Sequence, residues 1–340
     1  MSGPLPMVLA PLAWPASLMY GAVVRLRNAR LDRVDGWRAP MPVVSVGNIT
    51  AGGTGKSPMV RWVVETLRGM GRSPAIATRG HRGGVMSDEV LEHRDAMPGL
   101  PIAVGADRVA AIKALLQGAQ TIDALVLDDG FQHRAVARDL DLVLVDATRP
   151  GLDGALLPMG WLREPASNLR RASAVVVTRA TRVDETLARR IESLHGRAPI
   201  AWTSHAWTGV RVQSSGLERA EPVAWLHGRR LAVWAGVGNP QALHAQVRQS
   251  GAEVVHAPAL RDHHAYGRAG VQSLLEQASK ADAEAVLCTP KDWVKVRKLL
   301  PAGHLPVVRP ELALTCLQGG EALRDAVRGA LDAGDARLRR

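Results

Sequence analysis

The sequence predicts an α/β fold with a mostly parallel sheet, because short apolar runs alternate along the chain with stretches of helical periodicity. The chain has 340 residues, enough for two domains, and its 46% hydrophobic and 22% charged residues are typical of a folded protein. The alternation is interrupted at residues 204–228 and then resumes. We therefore expect one α/β domain before this interruption and a second, smaller one after it.

The first domain is predicted to span residues 35–203. Helical patterns begin after Lys56, Asp107 and Val183, between the predicted strands. Strands that are joined through helices run parallel to one another. The strands of this domain are predicted at residues 43–46, 75–78, 124–127, 142–145 and 174–178.

The second domain is predicted to span residues 229–340, with residues 204–228 as a connector. Its helices are expected after Pro240 and Gly267. Its strands are predicted at residues 231–235, 253–256 and 285–289.

Residues 1–34 are predicted to be a membrane-associating segment. The first 24 residues are uncharged, but four prolines interrupt them, and the first basic residue follows the apolar run instead of preceding it. These features argue against a spanning helix and against a secretory signal. A helix over residues 16–34 could place its apolar start in a bilayer and its arginines at lipid phosphates, or it could pack on the protein's own surface.

The charge balance predicts an anionic partner, because 43 basic and 32 acidic residues give a formal net charge of +11. Aromatic residues are only 4% of the chain, and no basic tract carries interleaved stacking residues. We therefore expect no nucleic acid partner, whereas anionic lipid and phosphorylated metabolites fit. Two cysteines, Cys288 and Cys316, are too few for a disulfide framework or a cysteine metal cluster and indicate a reducing compartment.

Residues 42–58, PVVSVGNITAGGTGKSP, predict a phosphate-binding loop. A strand leads into a glycine-rich turn and a helix starts at Lys56, so backbone N–H groups and the positive helix end suit a polyphosphate. Lys56 adds charge for the β- and γ-phosphates, and Ser57 offers a hydroxyl to Mg²⁺. The usual pattern needs a glycine at Thr50, so the first glycine is displaced here. The predicted nucleotide-binding residues are Thr50, Ala51, Gly52, Gly53, Thr54, Gly55, Lys56 and Ser57.

Two adjacent carboxylates, Asp128 and Asp129, follow the apolar run of ALVLDDGFQH. Ligands of open α/β sheets bind at the carboxyl ends of strands, so these residues are candidates for orienting Mg²⁺ opposite the loop serine. The alternative is that they cap the next turn.

The stretch TRGHRGGVMSDE also follows a predicted strand. Arg79 is placed to meet a phosphate, and Asp88 could accept the proton of an acceptor hydroxyl. Acidic residues in such glycine-containing loops are also commonly just solvated.

Two clusters lie in the second domain. RDHHAY brings together Asp262, His263, His264 and Tyr266, which indicates either metal ligation or a histidine that tunes a carboxylate. TPKDWVK brings together Thr289, Lys291 and Asp292 after another strand.

The assembled motifs resemble those of the tetraacyldisaccharide 4'-kinase family, the lipid A 4'-kinases of Gram-negative bacteria. The resemblance implies a P-loop NTPase-like kinase domain and transfer of the ATP γ-phosphate to the 4'-hydroxyl of a tetraacylated glucosamine disaccharide 1-phosphate. It implies work at the cytoplasmic face of the bacterial inner membrane, on a lipid substrate and with no obligate protein partner. The matching stretches are VGNITAGGTGKSP, TRGHRGG with SDE after it, VLDDGFQHR, LLPMGWLREP, AGVGNP, RDHHAY and TPKDWVK.

The resemblance also implies roles for single residues. Lys56 and Ser57 would hold phosphate and Mg²⁺, Asp88 would be the catalytic base, and His263 would be its partner. The metal would be served by Asp128 and Asp129, with Glu164 of LREP as a further metal or supporting group. The sequence departs from the family pattern at His81, Ser87, Val90 and Pro290, which affects the surroundings of Asp88 more than its chemistry.

Two other functions stay open at this point. A P-loop GTPase or metallochaperone would also use GGTGKS, although the adjacent lysine and aspartate of TPKD do not have the spacing of a guanine-selecting motif. A non-enzymatic, nucleotide-dependent membrane scaffold would account for the N-terminal segment and the positive charge. A preference for GTP without a lipid acceptor would favour the first, and activity in cells that survives loss of Lys56 and Asp88 would favour the second.

Overall fold

A computed structural model describes residues 10–80, 88–118, 121–237, 240–261 and 264–339. The strands are β1 Val43–Asn48, β2 Pro74–Thr78, β3 Ile102–Val104, β4 Ala124–Asp128, β5 Leu140–Asp146, β6 Ala174–Thr178, β7 Ala201–Ser214, β8 Leu217–Glu221, β9 Arg230–Trp234, β10 Glu253–His256, β11 Ala285–Cys288 and β12 Val307–Gln318. The helices are α1 Ala10–Leu31, α2 Lys56–Gly69, α3 Asp88–Ala96, α4 Arg108–Leu116, α5 Glu185–His195, α6 Pro240–Gln249, α7 Arg268–Lys280, α8 Pro290–Val296 and α9 Gly320–Leu338.

The described chain forms two compact units. The first is drawn from Met1–Gly84, Gly99–His205 and Leu314–Arg340, and the second from Val85–Pro98 and Ala206–Ala313. These ranges differ from the expected domain limits, because α3 belongs to the second unit and α9 returns to the first. The composition of the chain does not shift where it enters α3 or α9, so the sequence pattern does not reveal these two changes of unit.

The first unit contains the sheet that positions the predicted loop. Its strands have the order β7-β6-β5-β1-β4-β2-β3 and pair in parallel throughout, as predicted. Strand β1 lies between β4 and β5 and is buried along its whole length. The register sets Val46 opposite Asp128, so the end of β1 and the acidic end of β4 are at the same edge.

Helix ends in this unit follow from local chemistry. Asp107 accepts a hydrogen bond from Ala110 N at 3.0 Å, and Asp184 accepts one from Leu187 N at 3.0 Å, so both are N-caps. Helix α5 ends at His195, and the C-cap residue Gly196 has a φ of 92°, the left-handed conformation that favours glycine. The helices predicted after Lys56, Asp107 and Val183 are thereby confirmed.

The second unit has its own parallel strands in the order β10-β9-β11-β12, with α3 packed on α8. The stretch expected to be a connector, residues 204–228, contains the antiparallel β7–β8 hairpin and a short 3₁₀ helix instead. The two turn residues, Ser215 and Gly216, have φ of 50° and 80°, which is the left-handed pair that a tight hairpin turn requires. The polar, mixed composition of the stretch concealed this hairpin.

Candidate active site

The glycine-rich loop leaves β1 at Asn48 and leads directly into α2. Gly52 and Gly55 have φ of 106° and 81°, so glycine is required at both. Gly55 is the N-cap of α2, and as a glycine it supplies no side chain to cap this end of the helix. The first N–H groups of α2 thus find no acceptor on an N-cap side chain, and the positive helix end is suited to an anion.

Three neighbouring segments hold the loop in this shape. The Asn48 side chain donates to the carbonyl of Thr50 at 2.7 Å, and the Thr178 hydroxyl donates to the carbonyl of Thr54 at 2.8 Å. The backbone N–H of Ala51 donates to the carbonyl of Trp161 at 2.6 Å. These bonds organise the loop before any ligand binds, which reduces the ordering cost of binding.

His205, the fifth residue of β7, supports the helix end of the loop. A Cβ on Gly55 would lie 2.6 Å from Cε1 of this imidazole, so the ring occupies the space of the missing side chain. Burial, reinforced by Arg179, lowers the pKa of His205 to about 4, so the ring is neutral at pH 7. The sequence contains no motif that would have singled it out.

The structure brings Lys56 and Asp129 together. Lys56 Nζ lies 3.5 Å from the Asp129 carboxylate and 3.4 Å from the Asn48 side-chain oxygen, to which it donates. Both carboxylate oxygens of Asp129 also accept from Arg163 Nη1 at 2.8 Å. Burial alone would raise the pKa of Asp129, but Lys56 and then Arg163 outweigh it and lower the pKa to about 2. Asp129 is therefore ionised beside the loop lysine at pH 7.

Asp128 is the last residue of β4, with 2% of its surface exposed, and it precedes Asp129 in a left-handed turn with φ of 52°. Among the described residues, no group of three or more histidine, cysteine or acidic side chains is arranged to hold a metal. Ser57 is the second residue of α2, and the Asp129 carboxylate lies 3.5 Å from Nζ of Lys56, the first residue. Hydroxyl and carboxylate oxygens of this kind fit a Mg²⁺ that is held largely by nucleotide phosphates and water.

Glu164, for which the resemblance implies a role as a metal ligand or a supporting group, is engaged by protein donors. It is 2% exposed, and protein donors already engage its two oxygens. A carboxylate used in this way orders the protein around it. The donors are Asn28 at 3.1 Å, Gln132 at 2.9 Å, Asn168 at 2.7 Å and Arg171 at 2.8 Å.

The network around Glu164 also reaches the loop. Gln132 of DDGFQH donates both to Glu164 and to the carbonyl of Asn48, the last residue of β1, at 2.8 Å. Arg163, its neighbour in LREP, pairs with Asp129. Sequence reasoning missed Arg163 and Gln132 as parts of the site, although both lie inside stretches that matched the family.

The roles of Arg79, Asp88 and His263, like those of the predicted residues above, stay predictions. Arg79 is exposed at the carboxyl end of β2, where a phosphate contact is feasible. Asp88 was expected in a loop, but its backbone is the first residue of α3, and its side chain is outside the described part of the structure. His263 lies outside the described residues.

In the second unit, three of the matching stretches meet at the fully buried Asp292. Its carboxylate accepts from the Gly236 N–H at 3.1 Å, the Tyr266 hydroxyl at 3.0 Å and the Thr289 hydroxyl at 2.7 Å. Burial and then Asp292 raise the pKa of Tyr266, which therefore stays a neutral donor. The aspartate of TPKD thus joins the segments AGVGNP, RDHHAY and TPKDWVK, and its complete burial keeps it from contacting a nucleotide base.

The central strand, the glycine loop with Lys56 and the acidic strand end define a P-loop nucleotide-binding protein of the phosphotransferase type. Residues 9–328 match the family model of LpxK, tetraacyldisaccharide-1-P 4'-kinase. The chain belongs to this family, whose members are kinases. The resemblance seen in the sequence is thereby confirmed, and the GTPase alternative has no support from it.

Relatives match along nearly the whole chain. The tetraacyldisaccharide 4'-kinase of Geobacter sulfurreducens is 36% identical, covering 88% of this chain and 87% of its own. That of Anaeromyxobacter sp. strain K is 36% identical, covering 97% of this chain and 93% of its own. The crystal structure of LpxK from Aquifex aeolicus in complex with ATP has a TM-score of 0.73 at 24% identity and covers 95% of this chain and 99% of its own, which confirms the fold class.

Proposed function

We propose that this protein transfers the γ-phosphate of ATP to the 4'-hydroxyl of a tetraacylated glucosamine disaccharide 1-phosphate. The observation that carries the proposal is the family match over residues 9–328, combined with a preorganised loop that places Lys56 at the start of α2. Mg²⁺ bound with the nucleotide would neutralise phosphate charge. The residues of this chain bind and orient the reactants.

At the phosphate end, the uncapped start of α2 and Lys56 bind the polyphosphate. Phosphoryl transfer depends mostly on positioning and on stabilising charge, so groups that are already oriented contribute most. The contacts of Lys56 with Asn48 and Asp129 hold its ammonium group at the loop. Ser57, Asp128 and Asp129 are the proposed oxygen donors to Mg²⁺.

At the acceptor end, we assign Asp88 as the base and His263 as the group that orients it. A sugar hydroxyl has a high pKa, so the base accepts its proton only as the bond to phosphorus forms. A charged His263 would keep Asp88 ionised, and a neutral one would relay the proton. Arg79 is the proposed contact to a phosphate group on the same sheet edge.

A transfer assay tests the function directly. The protein is incubated with γ-labelled ATP, Mg²⁺ and a lipid A precursor that lacks the 4'-phosphate, and the label is expected on the lipid. A matched precursor whose 4'-hydroxyl is replaced by hydrogen should stay unlabelled. Nucleotide hydrolysis without transfer to the lipid, or consumption of GTP in preference to ATP, would contradict the proposal.

We further propose that the protein works at the cytoplasmic face of the bacterial inner membrane and that α1 is its membrane contact. The helix is docked on its own unit through the buried residues Ala13, Ser17, Gly21 and Val24. Ser17 donates to the carbonyl of Leu156 at 2.9 Å. One side of the helix therefore packs on the protein's own surface, which is one of the two alternatives left open by the sequence.

The other side of α1 is apolar and exposed. Met19, Val23 and Leu26, at the i, i+4 and i+7 positions of one helix face, are 72%, 62% and 73% exposed. Exposed arginines follow at 25, 27, 30 and 33, where lipid phosphates would lie beside an inserted apolar face. None of the described helices is both long enough and apolar enough to cross a membrane. A partly docked helix that dips into one leaflet fits these observations.

A groove beside α1 supports the proposal that the substrate is an acylated lipid. It has a volume of about 600 Å³ and lies between the helix and residues 152–166, with Trp14, Leu18, Leu156 and Met159 in its wall. Leu162, also in the wall, pairs with Thr50 of the phosphate loop. We propose that the groove receives an acyl chain close to the phosphoryl-transfer site.

Replacing the exposed apolar face of α1 should weaken membrane binding more cleanly than removing residues 1–34, because the docked face stays intact. In the triple variant Met19→Gln, Val23→Gln, Leu26→Gln, we expect association with anionic phospholipid vesicles to fall by at least about 10-fold, since each side chain loses burial worth roughly 1 kcal/mol or more. Co-sedimentation measures this. The control variant Leu217→Gln, Leu317→Gln, also at exposed apolar positions, should bind as the parent does. Equal binding by all three proteins would assign the membrane contact elsewhere.

A further inference from the structure

We propose that Arg149 and Arg179 form an arginine pair that contacts the polyphosphate of the nucleotide on the glycine loop. The inference rests on the proposed function for the identity of the nucleotide, but it assigns residues that neither the motifs nor the family match singled out. Both arginines lie in the first unit, in the segments that follow β5 and β6 at the carboxyl edge of the sheet.

The two guanidinium groups lie at the two exposed glycines of the loop. A Cβ on Gly52 would be 3.2 Å from Nη2 of Arg149, and a Cβ on Gly53 would be 3.7 Å from Nη2 of Arg179. A larger residue at Gly52 would therefore crowd Arg149. The N–H groups of this loop and of the start of α2 are suited to hold a polyphosphate. A polyphosphate bound to them comes within reach of both arginines.

Arg179 is held in place by a buried anchor. Its Nη1 donates to Asp146 Oδ2 at 2.7 Å, and the other oxygen of Asp146 accepts from the Thr148 N–H at 2.9 Å and the Thr148 hydroxyl at 2.7 Å. Asp146 is 6% exposed. Arg179 itself has a φ of 53°, a left-handed conformation that is uncommon for residues other than glycine and clusters at ligand-binding sites. The salt bridge engages Nη1 of the guanidinium group, and Nη2 of the same group lies next to the loop.

Arg149 is held by stacking. Its guanidinium lies over the Trp161 ring at 4.3 Å from the ring centre, and the carbonyl of Trp161 accepts the N–H of Ala51 in the loop. Within the described residues, no carboxylate is at ion-pair distance from Arg149. The stack therefore orients the cation next to the loop without neutralising it.

The charges around the loop explain why further cations are needed. Lys56 lies beside the ionised Asp129, which also pairs with Arg163, so much of the lysine charge is compensated by the protein. The triphosphate of ATP carries several negative charges. Arg149, which has no carboxylate at ion-pair distance in the described part of the chain, contributes a positive charge, and Arg179 contributes the free half of a fork whose geometry matches phosphate oxygens. Preoriented groups of this kind stabilise charge without reorganising during transfer.

Nucleotide binding without lipid tests this pair independently of the kinase reaction. Calorimetric titration with Mg·ATP and with AMP would be done for the parent, Arg149→Gln, Arg179→Gln and the double variant. Each single variant is expected to bind ATP about 10-fold to 100-fold more weakly, as for loss of a charged hydrogen bond, and the double variant more weakly than either. Affinity for AMP should change less than about 3-fold, because AMP lacks the β- and γ-phosphates.

Two further variants serve as controls. Arg182→Gln removes an exposed arginine three residues after Arg179 and should leave ATP affinity unchanged. Arg179→Lys and thermal denaturation of all variants separate loss of a contact from loss of folding: the lysine variant should recover part of the affinity. ATP affinity within 2-fold of the parent in a folded variant would overturn the assignment of that arginine. An equal loss for AMP and ATP would overturn the polyphosphate contact in favour of the nucleoside. If the arginine variants lose ATP binding as expected but the parent labels no lipid, the pair stands and the proposed kinase function fails.

Discussion

The variant Lys56→Ala is expected to have kcat/KM for phosphoryl transfer reduced by about 10²-fold to 10³-fold, as for other single groups that stabilise developing charge. The ammonium group is at the start of α2, where the glycine loop presents its N–H groups. Removing it also leaves Arg163 as the remaining ion-pair partner of Asp129. The negative charge of this carboxylate is then less well compensated, and it repels the phosphates more strongly. The transfer assay, run over a range of ATP concentrations, measures the effect.

Two variants calibrate this result. Lys113→Ala removes an exposed lysine on α4 of the same unit and should keep parental turnover. Lys56→Arg keeps the charge but replaces a compact ammonium with a planar fork, so we expect it to recover little activity. The chain has only six lysines against 37 arginines, which fits a requirement for lysine at this position. If Lys56→Ala kept turnover within about 3-fold of the parent, Lys56 would have no role in the mechanism. A single group that stabilises charge in the transition state contributes far more than this to the rate.

The second large effect is expected for Asp88→Asn. An amide of the same size cannot accept the proton of the acceptor hydroxyl, so kcat should fall by about 10²-fold to 10⁴-fold. The affinity for Mg·ATP should change by less than about 3-fold, because a group that acts only in the transition state does not contribute to ground-state binding. Single-turnover rates give the first quantity and calorimetric titration gives the second.

Asp95→Asn is the matched control for that variant. Asp95 lies seven residues further along α3, where it accepts from Arg297 at 2.5 Å and lies 3.5 Å from Arg309. Its replacement should lower the melting temperature, while kcat at a temperature where the protein is folded should stay near the parental value. A loss of ATP affinity in Asp88→Asn that accounts for the whole loss of kcat/KM would make Asp88 a binding residue and not a base.

Most regular elements were predictable because their signals are local. The strand predicted at residues 174–178 coincides with β6 Ala174–Thr178, and the strand at residues 253–256 coincides with β10 Glu253–His256. Buried parallel strands read as continuous apolar runs, and Asp107 and Asp184 mark helix starts by direct hydrogen bonds. The β7–β8 hairpin was missed because half of it is exposed and polar, so its pattern did not resemble the buried strands around it.

The site divides in a similar way. The loop from Asn48 to Ser57 works through its own backbone and the start of its own helix, so its sequence alone indicates what it binds. Arg163, His205 and Arg179 act on that loop from segments 100 residues or more away along the chain. No local pattern distinguishes these residues from the many other arginines and histidines of a basic protein.

The α/β class, eight of the twelve described strands, the phosphate loop and the family could be predicted from the sequence, because each is expressed in contiguous residues with short-range geometry. Three other features become visible only in the folded chain: Glu164 is engaged by four protein donors, Asp129 is held ionised by Lys56 and Arg163, and α1 docks one face and exposes the other. The physical reason is that charge pairing and burial depend on which distant residues come within a few ångströms of one another. Parallel strands joined by long crossovers bring together residues that are far apart in the chain, and no local sequence pattern records these contacts.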